Sequence, residues 1–532
     1  MISIANPLPL PRMKYDEALP LPPYRQAPAA SEEVAARIVS RPLQVLAVTS
    51  EVFPLIKTGG LADVTGALPK ALTRFGIRTH TLVPGYPSIV SMARLHPPLM
   101  EFDNLLGEPA TLRHLEIDGL SIFVLDAPSL FDRPGGPYVD TNGLDHPDNW
   151  KRFAVLSLAG AEIAAGALPG WRPDLVHTHD WQTALTSVYL KQMGASVPTV
   201  LTIHNLAFQG QFSASLLPQI GLSPEAFSID CLEYYGDISY LKGGLTTAAH
   251  ITVVSPTYAR EILSSAFGMG MDGVLNARLD QLEGIVNGID TEIWNPATDP
   301  YLPHRYDQKS VRHKAKNKAI LLDRFGLDPG EGPLFSAVTR MTWQKGMDML
   351  ADVADEIFRW GGKLIVLGQG DSEIIARLNE TAARFPGKMA VSSDYNEAAS
   401  HLIHGGSDAI IQPSRFEPCG LTQLYALRYG CVPVVSRTGG LAETIIDAND
   451  AAMAARVATG FQFHPVEPEG LRHALRRTAS TYRDKRKWDR LQLQAMRADY
   501  SWDRSAERYG DVYMRLARSG HADRIQDRGV DP

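Results

Sequence analysis

The cations Lys57, Arg340 and Lys345, the acid Glu417 and the imidazole of His179 are the side chains here best placed to do chemistry. Each lies at or just past the end of a short apolar run, where a strand gives way to a turn. Lys57 opens Lys57-Thr58-Gly59-Gly60-Leu61 after the run Val45–Thr49. Lysine is a mobile point charge suited to phosphate. Gly59 and Gly60 let backbone N–H groups approach an anion at a helix start. Thr438-Gly439-Gly440-Leu441, after Val432–Ser436, echoes that loop. Ligands of open α/β sheets bind outside the carboxyl ends of the strands. Two such loops, far apart in the chain, therefore predict two α/β units facing one phosphate-bearing ligand. Arg340 and Lys345 flank a turn after Leu334–Val338. Their bidentate fork and point charge predict a diphosphate clamp.

Ser414-Arg415-Phe416-Glu417-Pro418-Cys419-Gly420-Leu421-Thr422 is the most specific stretch. Glu417 can accept hydrogen bonds from vicinal sugar hydroxyls, or simply offset a helix dipole. Gly420, Leu421 and Thr422 present N–H groups at a helix start. Cys419 is either a thiol activated by that helix start or a packing residue that shapes a pocket; the second reading is preferred. Asp63, in the first turn after the Lys57 loop, either compensates the dipole or touches the ligand. In His177-Thr178-His179-Asp180-Trp181 the period of two puts both histidines on one face, with His179 emerging over the cleft. Thr202-Ile203-His204-Asn205 repeats the arrangement at another strand end. No third ligand stands at zinc spacing, so neutral imidazoles bonding sugar hydroxyls are expected rather than a metal pair.

The elements that must position these residues are short β-branched runs alternating with longer helical stretches. Strands are expected at Gln44–Thr49, Thr79–Val83, Ser121–Leu125, Leu175–His179, Thr199–His204 and Ile251–Val254. A second series is expected at Leu334–Val338, Lys363–Leu367, Lys388–Ser392, Ala409–Gln412 and Val432–Val435. Such alternation predicts βαβ units and parallel sheets. It divides the chain into a Pro-rich leader (1–42), a first domain (43–296), a second domain (310–499) and a terminal amphipathic helix (500–520) that packs back on the first. The leader reads as poorly ordered.

The net charge of −7, without a basic footprint, argues against a nucleic-acid partner. The sequence has no apolar stretch of membrane-spanning length, and its N-terminus has no signal-peptide pattern. Three scattered cysteines give no disulfide framework and point to a reducing, cytoplasmic setting.

Taken in order, these segments resemble the bacterial-type glycogen synthases and their plant relatives, the starch synthases. The resemblance runs over residues 43–517. It includes Ser50-Glu51-Val52-Phe53-Pro54, His177 to Trp181, Ile203 to Gly210, Tyr240 to Gly244, Val254 to Glu261 and Asn287 to Asp290. The Arg340 turn, Phe416 to Leu421 and the Thr438 loop complete it. It implies a GT-B glycosyltransferase: two Rossmann-like domains facing a cleft. The implied reaction moves glucose from ADP-glucose to the non-reducing end of an α-1,4-glucan, glycogen or a maltooligosaccharide, with retention. No cofactor or metal is implied. The resemblance also implies roles. Lys57, Gly59 and Gly60 line the nucleotide-sugar site, Arg340 and Lys345 hold the diphosphate, and His179 and Glu417 hold the glucose. Thr438, Gly439 and Gly440 approach nucleotide or phosphate. Tyr425 stands where related enzymes using other sugar nucleotides often carry a second glutamate. Gly268-Met269-Gly270-Met271 departs from the usual loop. A UDP-glucose enzyme of the same fold, and a glucan-binding protein without turnover, are the alternatives.

Overall fold

The structure, a computed structural model, describes residues 41–393 and 396–527. Apart from Arg41 and Pro42, the expected leader lies outside them. Near-continuous apolar runs, the mark of strands covered on both faces, form two sheets.

The first sheet has nine strands: β1 (Leu43–Val48), β2 (Ile77–Pro84), β3 (Met100–Leu105), β4 (Glu108–Ile117), β5 (Leu120–Asp126), β6 (Leu175–His179), β7 (Thr199–Ile203), β8 (His250–Val253) and β9 (Leu282–Gly284). Their spatial order is β9-β8-β7-β6-β1-β2-β5-β4-β3. β1 pairs in parallel with both β2 and β6, Val45 lying opposite Thr79 on one side and Leu175 on the other. The strand order therefore reverses between β1 and β6, which opens a crevice at their carboxyl ends. The sheet departs from the expected all-parallel arrangement at one edge. β4 runs antiparallel to β5, and β3 to β4.

The second sheet has six parallel strands: β10 (Leu334–Val338), β11 (Lys363–Leu367), β12 (Met389–Ser392), β13 (Ala409–Gln412), β14 (Val432–Ser436) and β15 (Phe461–Phe463). Their order is β12-β11-β10-β13-β14-β15, so this sheet reverses between β10 and β13.

Helix α1 (Gly60–Leu72) buries Leu61, Val64, Leu68 and Leu72, a stripe of helical period. The last helix runs over Trp502–Asp527, longer than the sequence suggests. Its Trp502, Ala506, Tyr509, Val512 and Tyr513 pack with Val45, Leu68, Leu175 and Val200 behind the first sheet. The chain crosses between sheets twice, and the crossings run side by side: Ile289 bridges Ser501. The outgoing segment is anchored by Trp294, which stacks on Tyr425 (3.6 Å) and on His401 (3.9 Å), each ring nearly parallel to it. Tyr425, at the position of the absent second acid, thus fastens the connection to the second domain.

Candidate active site

Both switch points carry the residues singled out by sequence. The turn after β1 holds Lys57 and Gly59, the first turn of α1 holds Gly60 and Asp63, and the end of β6 holds His179. In the second sheet, Arg340 and Lys345 follow β10, and Glu417 to Thr422 follow β13. The halves meet: a side chain at Gly60 would lie 3.5 Å from Leu421 Cδ1.

Lys57 Nζ pairs with Asp63 Oδ1 at 2.7 Å and sits over the Phe53 ring. Asp63 therefore aims the lysine. The loop wraps a buried carboxylate, since Glu51 accepts hydrogen bonds from the Thr58 hydroxyl (2.6 Å), the Thr58 N–H and the Tyr138 hydroxyl. Gly59 and Gly60 remain exposed on its outer side.

His177 and His179 share a face, with ring centres 4.1 Å apart. His177 is consumed structurally, bonded to Thr202 and to Tyr513 of the last helix at 2.6 Å each. His179 is only 2% exposed, against the expectation of a ring standing out over the cleft. The Thr183 hydroxyl holds its backbone at both N–H and carbonyl, and its Nδ1 lies 3.1 Å from His204 Nε2. Burial pulls His179 well below the ordinary histidine range and His204 to about 3, so both rings are neutral at pH 7.

Asp180 was left out of the predicted site. It takes a positive φ of 55° with no glycine to ease it, a conformation that persists only where its surroundings enforce it. Its carboxylate accepts the N–H groups of His204 (2.6 Å) and Asn205 (3.4 Å). Burial, against those two donors, pushes the carboxyl up to about 7. The signal was an acid directly after the strand-end histidine. Asn205 caps its own turn through Ala207 N–H.

In the second domain Lys345 Nζ contacts Glu417 Oε2 at 2.6 Å, and the Ser414 hydroxyl donates to the same oxygen at 2.9 Å. Arg340 stands exposed at the start of the same turn. The two loops are stapled by Arg415, which forks onto Asp348 at 2.7 Å and lies over the Trp343 ring. Gly346 has a φ of +66°, and a Cβ there would sit 2.0 Å from the Pro413 carbonyl oxygen. Only glycine lets the loops approach so closely. Cys419 is buried and its thiol is pushed up to about 12, so it packs rather than reacts. Among the described residues, no backbone carbonyl accepts the N–H groups of Gly420, Leu421 and Thr422.

The echo between the glycine loops does not carry into their exposure. Thr438, Gly439 and Gly440 are buried. Gly439 N–H donates to Glu261 Oε1 (2.9 Å), and Gly440 N–H to the Glu417 carbonyl (3.0 Å). A Cβ at Gly440 would lie 2.2 Å from the Cys419 carbonyl oxygen. These glycines back the Glu417 loop, and the two N–H groups expected to meet phosphate are engaged within the protein.

Among the described residues no cluster of three or more His, Cys, Asp or Glu could hold a metal ion, and no helix is long and apolar enough to cross a membrane.

Two Rossmann-like sheets that present cations, neutral imidazoles and a buried glutamate at facing switch points define a GT-B glycosyltransferase. Residues 44–277 match the starch synthase catalytic domain family, and 322–490 match the glycosyl transferases group 1 family. The chain is 57% identical over 479 residues to a glycogen synthase of Rhizobium johnstonii, covering 90% of this chain and 100% of that one. It is 56% identical over 480 residues to glycogen synthase 1 of Rhizobium meliloti, with the same coverage. The catalytic domain of starch synthase IV from Arabidopsis thaliana, solved with ADP and acarbose, superposes with a TM-score of 0.80 at 32% identity, over 90% of this chain and all of that one. The chain belongs to the bacterial glycogen synthase family, and glycogen synthase activity goes with that membership.

Proposed function

We propose that the chain transfers glucose from ADP-glucose to the non-reducing end of an α-1,4-glucan, retaining anomeric configuration and releasing ADP. The observation that carries this reading is the meeting of the two switch points: Lys57 and His179 on one side, Arg340, Lys345 and Glu417 on the other. The related starch synthase was solved with ADP and acarbose, a nucleoside diphosphate and a sugar-like molecule held by one catalytic domain.

Departure of ADP builds negative charge on its phosphates. Arg340 and Lys345 stabilise that charge, and Lys345, held and partly desolvated beside Glu417, does so at little reorganisation cost. Lys345 already has an anionic partner in Glu417, so an arriving diphosphate competes for it and leaves Glu417 free to accept sugar hydroxyls. The N–H groups of Gly420 to Thr422 add donors at the same place. His179 and His204, neutral and bonded to each other, hold hydroxyls without adding positive charge beside the cation-like sugar centre. The acceptor enters on the face ADP leaves, and the departing phosphate takes its proton. Contact between the domains excludes water, whose attack competes with transfer.

The test is ADP release from ADP-glucose with glycogen present, UDP-glucose in parallel and Glu417→Ala as control. Glycogen-dependent release that the substitution abolishes is expected. Selective use of UDP-glucose would overturn the donor. Glycogen binding with no release from either donor would overturn the reaction.

A further inference from the structure

One short helix of the first domain touches both halves of the site. It spans Pro256–Glu261. Its start is pinned to β9, because a Cβ at Gly284 would fall 2.4 Å from Pro256 Cα. In its middle, the Tyr258 hydroxyl accepts the N–H of Leu206, next to His204 and Asn205, at 3.0 Å. At its end, Glu261 crosses to the second domain. Oε1 accepts the Gly439 N–H at 2.9 Å and the Thr438 hydroxyl at 3.2 Å. Behind Thr438–Gly440, the Gly440 N–H holds the Glu417 carbonyl, and the glycine backbone lies against residues 417–419.

The other oxygen of Glu261, Oε2, is buried without a hydrogen bond. A neighbouring contact joins the same domains without reaching the Glu417 loop: Thr257 Oγ1 donates to Glu443 Oε2 at 2.7 Å.

We propose that Glu261 is a positioning residue, which fixes the Glu417 loop of the second domain in register with the His204–Asn205 loop of the first. The proposal rests on the site assignment above. Displacing reacting groups by about 1 Å costs on the order of 100-fold in rate, so the carboxylate acts on turnover rather than on donor binding.

The experiment compares Glu261→Ala, Glu261→Asp and Glu261→Gln with the native enzyme and with Glu443→Gln. It reads kcat and KM for ADP-glucose, Tm, and hydrogen exchange of peptides spanning residues 415–424. Glu261→Ala and Glu261→Asp are expected to lower kcat about 10- to 100-fold, leave KM within about threefold, and speed exchange of the Glu417 loop. Glu261→Gln keeps the acceptor oxygen and is expected to restore both kcat and protection, with Glu443→Gln unchanged. Native kcat in the Ala and Asp variants would overturn the proposal, as would Gln behaving like Ala. A fall in Tm with full activity per folded molecule would also overturn it. If the Ala variant does not fold, Asp against Gln decides. Should the native chain release no ADP, the proposed reaction fails while exchange at residues 415–424 still decides whether Glu261 holds the loop.

Discussion

Replacing Gly440 by alanine tests whether the Thr438 loop serves the site through its backbone packing. The added Cβ would stand 2.2 Å from the Cys419 carbonyl oxygen and 2.4 Å from Cys419 Cα, where such contacts need at least 3.0 Å. The chain at Cys419 must therefore retreat by about 0.8 Å, and it carries Glu417 on one side and the N–H groups of Gly420 to Thr422 on the other. A misplacement of that size costs on the order of 100-fold in kcat/KM, or about 2.7 kcal/mol of transition-state stabilisation. Overpacking also lowers global stability by about 1–3 kcal/mol. The assay is coupled ADP release under saturating glycogen, with urea unfolding of the same samples. Gly273→Ala is the control, since nothing lies within 4 Å of a Cβ there. Gly440→Ala with kcat/KM within threefold of native, at unchanged stability, would refute the reasoning.

Two further outcomes are expected. The thiols of Cys419 and Cys431 are raised to about 12 by burial and all three cysteines are buried and unpaired, so a thiol reagent at pH 8 should label the native protein slowly and three thiols per chain after denaturation. Rapid native labelling of Cys419 would return it to the reactive role. Glu356 is held at about 2, chiefly by its hydrogen bond from Arg476, with Trp360 and Arg472 assisting. Its folded value lies below its unfolded one, so its stabilisation is complete above pH 4.5 and is lost as pH falls toward 2. The stability difference between native enzyme and Glu356→Gln should shrink over that window in urea titrations; a difference independent of pH would contradict the assignment.

The strands at Leu334–Val338, Lys363–Leu367 and Ala409–Gln412 were legible to the residue, because strands covered on both faces leave near-continuous apolar runs, and Leu175–His179 was legible from Leu175-Val176 and the period of two that pairs His177 with His179. The edge strands β3 and β4 were not. Polar and charged residues interrupt them, and only Phe102 and Leu105 of β3 and Ala110, Leu112 and Leu115 of β4 are buried, so no run marks them. What marked them was turn chemistry. Leu106-Gly107 and Asp118-Gly119 both take positive φ at both residues, and Asp-Gly is a strong hairpin signal. Reading for strand–helix alternation passes over it. At the site, residue types at strand ends pointed to Lys57, Arg340, Lys345 and Glu417. The burial of His179 and the internal engagement of the Thr438 loop depend on what packs from far away. Glu261 and Gly439 are 178 positions apart, and no local pattern links them. The strained backbone of Asp180 is likewise enforced by tertiary packing.

The last helix also sets an order of events during synthesis. Val45, Leu68, Leu175 and Val200 are covered by Trp502, Tyr509 and Tyr513, which leave the ribosome only after the entire second sheet. Roughly 220 residues separate the end of the first sheet from that helix, about 10 to 45 s of translation at 5–20 residues per second. Throughout that interval the nascent first domain carries an open apolar seam, a surface for chaperones to shield. The half of the enzyme made first is therefore the half completed last, and an N-terminal fragment ending before Trp502 would keep that seam open for good.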